Sequence, residues 1–169
     1  MMKKTLKNLA HCLLPMLLSY GFLLPNAQAE ESAWNNDAKT PLETLPITVY
    51  KSPSCGCCND WITHLEQHQF QVKTIDLANL SAIKMELGVP QKLQSCHTAV
   101  VNGYVIEGHV PATDIRQLVE QQSSHLGLAV PHMPVGSPGM EMGARKDDFK
   151  IIAFDKNGIA ETVKEYRDY

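Results

Sequence analysis

The sequence predicts a mixed α/β domain in the order β-α-β-α-β-β-α, followed by a Met/Pro/Gly-rich loop and a C-terminal hairpin. Three observations predict it. Short β-branched apolar runs alternate with stretches whose apolar residues recur at helical spacing. Asn102-Gly103 lies between two such runs, the strongest short hairpin signal a sequence carries. A last pair of runs, 150–154 and 159–163, is separated by Asp155-Lys156-Asn157-Gly158.

Ile47-Thr48-Val49-Tyr50 reads as the first strand. The first helix is expected over 57–69, because Trp61, Ile62 and Leu65 recur with Cys58 at helical spacing. Residues 72–77 alternate Val72, Thr74 and Asp76 against Lys73, Ile75 and Leu77, a second strand. A short helix over 80–87 has Asn79 or Ser81 as N-cap, Gly88 as its stop and Pro90 beyond. Strands at 98–101 and 104–106 flank the Asn102-Gly103 turn. Pro111 opens a third helix that turns Ile115, Leu118 and Val119 to the core, with Val110 stapling its start. This order is thioredoxin-like. Residues 127–143, with four glycines and three prolines, are expected to lack regular structure. A loop of that length in a compact domain is usually functional, and its aliphatic residues and methionines argue against simple disorder.

The chain opens with Lys3, Lys4 and Lys7, an apolar stretch over 9–24 and then Ala27-Gln28-Ala29, the layout of a cleavable export signal. Residues 1–29 are therefore expected to be a signal peptide, 30–45 a flexible polar leader and 46–169 one domain. Cleavage after Ala29 leaves 140 residues, removes three lysines and no acid, and takes the formal charge from −3 to −6. An acidic chain without a Lys/Arg cluster argues against nucleic acid or anionic membrane as partner. No second apolar span suggests membrane insertion of the mature chain.

Cys12 leaves with the signal, so four cysteines remain, three of them in Ser52-Pro53-Ser54-Cys55-Gly56-Cys57-Cys58. Strand, tight turn and helix set Cys55 and Cys58 at the positive end of a helix, which favours thiolate over thiol. Thiolate is both a nucleophile and a soft-metal ligand. Cys57 weighs towards metal: a third thiol invites scrambling in a dithiol enzyme, whereas Cu(I) gains from every thiolate. On an ideal helix Cys57 points roughly 200° from Cys55, so convergence needs an irregular first turn. Two structural disulfides remain an option in an oxidising compartment, although cysteines packed into one turn close almost no loop.

Cys96, in Ser95-Cys96-His97-Thr98, is the next candidate, because the loop entering the third strand abuts the Cys-x-x-Cys turn in thioredoxin-like folds. His97 stands where such folds carry a cis-proline that shields the dithiol from metals. It joins Cys96 at the site only if the backbone there is irregular. Met133 and Met140 in the loop are candidate thioether ligands, with Met142 and His132 beside them. His64 and His68 are one turn apart, a pair that a solvated helix face explains as well as a metal does. His109 and His125 have no sequence companions and are given no role. Hydrolase and nucleotide-binding motifs are lacking.

With Lys51-Ser52-Pro53-Ser54-Cys55-Gly56-Cys57-Cys58 and Trp61, Cys96-His97-Thr98-Ala99, Glu107-Gly108-His109-Val110-Pro111 and the run from Gly127 to Glu141, the chain resembles the bacterial CopG-like copper-resistance proteins over about 47–154. The resemblance implies a thioredoxin-like fold, a periplasmic location, copper bound by the Cys-x-Cys-Cys turn with Cys96, Cu(I)/Cu(II) redox exchange, and company among other periplasmic copper-handling proteins. The family pattern has glycine where this chain has His132, so His132 inherits no role. The combined expectation is a periplasmic copper-resistance protein that holds Cu(I), with more than one ion where thiolates bridge. Its expected ligands are Cys55, Cys57, Cys58 and Cys96, extended by His97, Met133 and Met140. The alternative is a thiol–disulfide oxidoreductase with Cys55 as nucleophile and Cys58 as resolving thiol.

Overall fold

The computed structural model describes Trp34 and residues 43–169; the expected export signal and most of the expected leader lie outside the described residues. The elements are β1 (Leu45–Lys51), α1 (Gly56–Gln67), β2 (Phe70–Asp76), α2 (Ser81–Glu86), β3 (Thr98–Val101), β4 (Tyr104–Glu107), α3 (Ala112–Glu120), β5 (Gly127–Ala129), β6 (Phe149–Phe154) and β7 (Ala160–Tyr166). The expected mixed α/β order is present. A short 3-10 helix, Gln91–Leu93, lies between α2 and β3, and the strands form a seven-stranded sheet of order β2-β1-β3-β4-β5-β6-β7. β1–β2 and β4–β5 are parallel and the other pairs antiparallel.

The helices form where the sequence repeats at 3.6 residues. On α1, Cys58, Trp61, His64 and Leu65 make one buried stripe. Fully burying Leu65 contributes about 1.5–3 kcal/mol by transfer from water. α2 has Leu80 as its N-cap rather than Asn79 or Ser81, and the Asn79 side-chain oxygen accepts the Ser81 N–H at 2.8 Å from the residue before it. α3 turns Ile115 and Leu118 inward. The core they cover joins Ile47, Val49, Ala99, Ile106, Val130 and Ile151.

Three further expectations need correction. The glycine-rich stretch is not wholly irregular: it opens as β5. Gly127 is there for close approach, since a Cβ on it would lie 1.8 Å from the Val105 carbonyl oxygen. The expected leader contains a core residue and the first of β1. Trp34 is buried against Tyr166, Tyr169 and Phe149, and its indole N–H donates to the Gly136 carbonyl at 3.1 Å. The His64–His68 pair is not on a solvated face. Both rings are buried, and His64 Nε2 accepts the Ala112 N–H at 3.0 Å, fastening α1 to the start of α3. Burial, then the nearby His68, push His64 down to about 3.

The register then lines up one end of the sheet. Tyr50 pairs with Thr98, Thr98 with Glu107, and Glu107 with Ala129. Four chain segments cross this row together: the turn after β1, the segment entering β3, and those leaving β4 and β5.

Candidate metal centre

The turn after β1 folds back when the Cys55 N–H donates to the Ser52 carbonyl at 3.1 Å. Cys55 is the residue before α1, with φ −79° and ψ 99°, so it stands outside the helix. Cys55 is therefore free of the 200° offset of an ideal helix, and this is the irregularity that convergence requires. No side chain caps α1 and its first turn holds no acid, so the partial positive charge of the helix start is not offset where Cys57 and Cys58 sit.

Cys55 and Cys58 are joined in a disulfide, and Cys57 and Cys96 are free thiols. Cys57 Sγ lies 3.6 Å from Cys55 Sγ. All four cysteine sulfurs lie within 4.8 Å of one another, so the segment entering β3 does bring Cys96 to the turn. Trp61 supports the cluster from beneath. It is fully buried, donates its indole N–H to the Val110 carbonyl at 2.9 Å, and lies against the His97 ring at 4.3 Å between centroids.

Cys96 and His97 precede β3 rather than belong to it, so strand alternation does not separate them. His97 Nδ1 and His109 Nε2 each lie 3.2 Å from Cys96 Sγ, and these three donors also group within 4.8 Å. His109 is the residue that the sequence reading passed over. The register could have revealed it: Thr98 faces Glu107, and two further steps along the same pairing set Cys96 opposite His109. The other nitrogen of His109, Nδ1, is 2.8 Å from the Pro138 carbonyl oxygen. A carbonyl only accepts, so Nδ1 carries the proton and Nε2 turns its lone pair to the sulfur.

Burial sets the protonation of this side. It pushes the Cys96 thiol up to about 12, with the neighbouring Cys57 adding to the rise. It holds His109 below the ordinary imidazole value, and His97 further below, where His109 and the Lys84 ammonium add to the effect. The His97 ring is completely buried, and its Nε2 has no hydrogen-bond partner among the described residues.

The loop after β5 closes over the first turn of α1. Gly139, at φ +79°, approaches so closely that a Cβ would lie 2.5 Å from the Trp61 backbone nitrogen and 3.0 Å from the Cys57 carbonyl oxygen. Met140 follows it, half-buried, in a turn where Gly136 N–H donates to the Met140 carbonyl. Met133 is half-exposed and lines a surface cleft with His132, Asp148 and Ile152. Among the described residues, no helix is long and apolar enough to cross a membrane.

A family model described as a protein of unknown function, DUF411, matches residues 93–140, which include Cys96, His97, His109 and the loop through Met140. No curated protein matches the chain. A solved structure described as copper resistance protein CopG, form 1, is 48% identical, covering 73% of this chain and 98% of its own, with a TM-score of 0.70. The form 2 structure is 47% identical over 74% of this chain and 100% of its own, again with a TM-score of 0.70. A cysteine cluster able to hold a metal, on a chain this similar over nearly the whole of both solved structures, places the protein in the CopG-like copper-resistance family.

Proposed function

We propose that this protein binds Cu(I) for copper resistance in the periplasm, after export directed by residues 1–29. The observation that carries the reading is the gathering of four cysteine sulfurs within 4.8 Å. The donor set fits copper. Thiolates are the ligands Cu(I) prefers, and they bridge, so four can hold more than one ion. His109 adds a lone pair already aimed at Cys96, and His97 a second imidazole on the same sulfur. Met140, beside the closing loop, and Met133, on the cleft, extend the set with thioethers. Copper bound here would be cargo held by soft donors, and redox exchange between Cu(I) and Cu(II) belongs to the same proposal.

The disulfide adds a condition. While Cys55 and Cys58 are bonded, two of the four sulfurs cannot act as thiolates, so full loading requires a two-electron reduction by a thiol donor. Titrating the reduced protein with Cu(I), against a strong Cu(I) chelator, is expected to give more than one copper per chain. One copper or less rules out a cluster, and no competition at all overturns the copper reading.

The same disulfide favours a second reading, a thiol–disulfide oxidoreductase using Cys55 and Cys58. Against it stands Cys57, close enough to Cys55 to exchange with it. Disulfide reduction by the metal-free protein, retained in Cys57→Ser and Cys96→Ser, would favour the oxidoreductase.

A further inference from the structure

Beneath the cluster lies an ion pair that the copper ligands do not include. Glu107, the last residue of β4, is completely buried, and Lys84 of α2 is 4% exposed. Glu107 Oε1 accepts from Lys84 Nζ at 2.5 Å and from the Ser95 backbone N–H at 2.5 Å. Its Oε2 accepts from the Thr98 hydroxyl at 2.6 Å, and that hydroxyl accepts from Lys84 Nζ at 2.8 Å. Ser95 and Thr98 bracket Cys96 and His97, so one carboxylate holds both ends of the segment that presents them.

We propose that Glu107, with Lys84, is a positioning unit for the metal centre: it fixes where Cys96 stands relative to Cys57 and His109. This rests on the copper reading above. A buried ion pair is weak evidence for stability, because apolar residues of similar volume often replace it at no cost. Here the carboxylate spends its hydrogen bonds on a backbone N–H and a hydroxyl on either side of a cysteine and a histidine, and that histidine has a buried Nε2 with no partner among the described residues. The same segment also fastens the closing loop, since the Ser95 hydroxyl donates to the His132 carbonyl. Its acidity serves geometry: a carboxylate accepts from three donors at once, and no apolar residue does.

The test compares wild type with the volume-matched double variant Lys84→Met/Glu107→Leu, and with Thr98→Val, which removes one tie and keeps a good strand former. Three quantities are read: the thermal midpoint, the Cu(I) affinity by chelator competition, and the alkylation rate of Cys96 in reduced, metal-free protein. The double variant is expected to keep a cooperative transition at a midpoint lowered by the loss of the Ser95 and Thr98 acceptors, to lose about tenfold or more in Cu(I) affinity, as other supports of metal ligands do, and to alkylate several-fold faster at Cys96. Wild-type affinity and alkylation in a folded double variant overturn the proposal. If that variant does not fold, wild-type behaviour of Thr98→Val in both assays overturns it equally. Failure of the wild type itself to bind Cu(I) sinks the copper reading, while the alkylation arm still reports on the positioning.

Discussion

On one side of the cluster, Cys55, Cys57 and Cys58 sit within four consecutive positions of a single turn, and a disulfide already joins two of them. On the other, Cys96 and His109 are thirteen residues apart and meet only because the β3–β4 register sets them opposite each other. The first side is half-exposed at Cys55 and Cys57 and made of sulfur alone. The second is mixed sulfur and nitrogen, buried at both imidazoles, and held by a carbonyl, a carboxylate and an ammonium. Local sequence supplies the reactive groups, whereas their protonation and placement come from tertiary structure. The turn changes state by oxidation. The register side has lone pairs fixed in advance by burial and hydrogen bonds.

The comparison breaks most forcefully at Lys84. Lys84→Ala leaves Glu107 buried without its counter-charge, and is expected to cost about 3–5 kcal/mol of stability by denaturant unfolding. A loss below 1 kcal/mol would mean that the register side is not organised by this pair.

Proton release separates the two sides by a smaller effect. Cys96 titrates near 12, so below that pH Cu(I) must displace its proton, and affinity rises with pH by about tenfold per unit for that thiol. His109 is held below the ordinary imidazole value, so at neutral pH it gives up no proton on binding. Chelator competition from pH 6.5 to 8.5 should therefore show Cys96→Ser lowering the slope of log affinity against pH by about one, with His109→Gln weakening binding but leaving the slope unchanged. Equal slopes in wild type and Cys96→Ser would erase the distinction between the two sides.

The mildest perturbation is at Asn79. Asn79→Ala removes the oxygen that receives the Ser81 N–H, a single hydrogen bond worth about 1 kcal/mol or less. Because α2 carries Lys84, the accompanying rise in Cys96 alkylation should exceed that at Cys57. Equal rises would show that α2 serves both sides alike.

Much of the fold was legible because its signals are local. Asn102-Gly103 marks the turn, and Thr98–Val101 is the strand expected. The cysteine turn was legible for the same reason. What escaped depends on distance along the chain. Gly127 reads as a loop residue until the Val105 carbonyl is seen lying against it. Trp34 reads as part of a polar leader because the aromatic rings it meets come from Phe149, Tyr166 and Tyr169. Lys84 and Glu107 look like ordinary surface charges, one on a short helix and one at a strand end, and only the three-dimensional fold buries them together. His109 was recoverable in principle from the hairpin pairing carried two steps further.

The closeness of Gly139 to the helix start makes the cysteine turn poorly portable. Transplanting residues 51–61 onto another protein would carry the sulfurs but not the strand of backbone pressed against Cys57 and Trp61, and any side chain at that position would force the two apart. A designer borrowing this centre has to move the 136–140 cover with it, as one part.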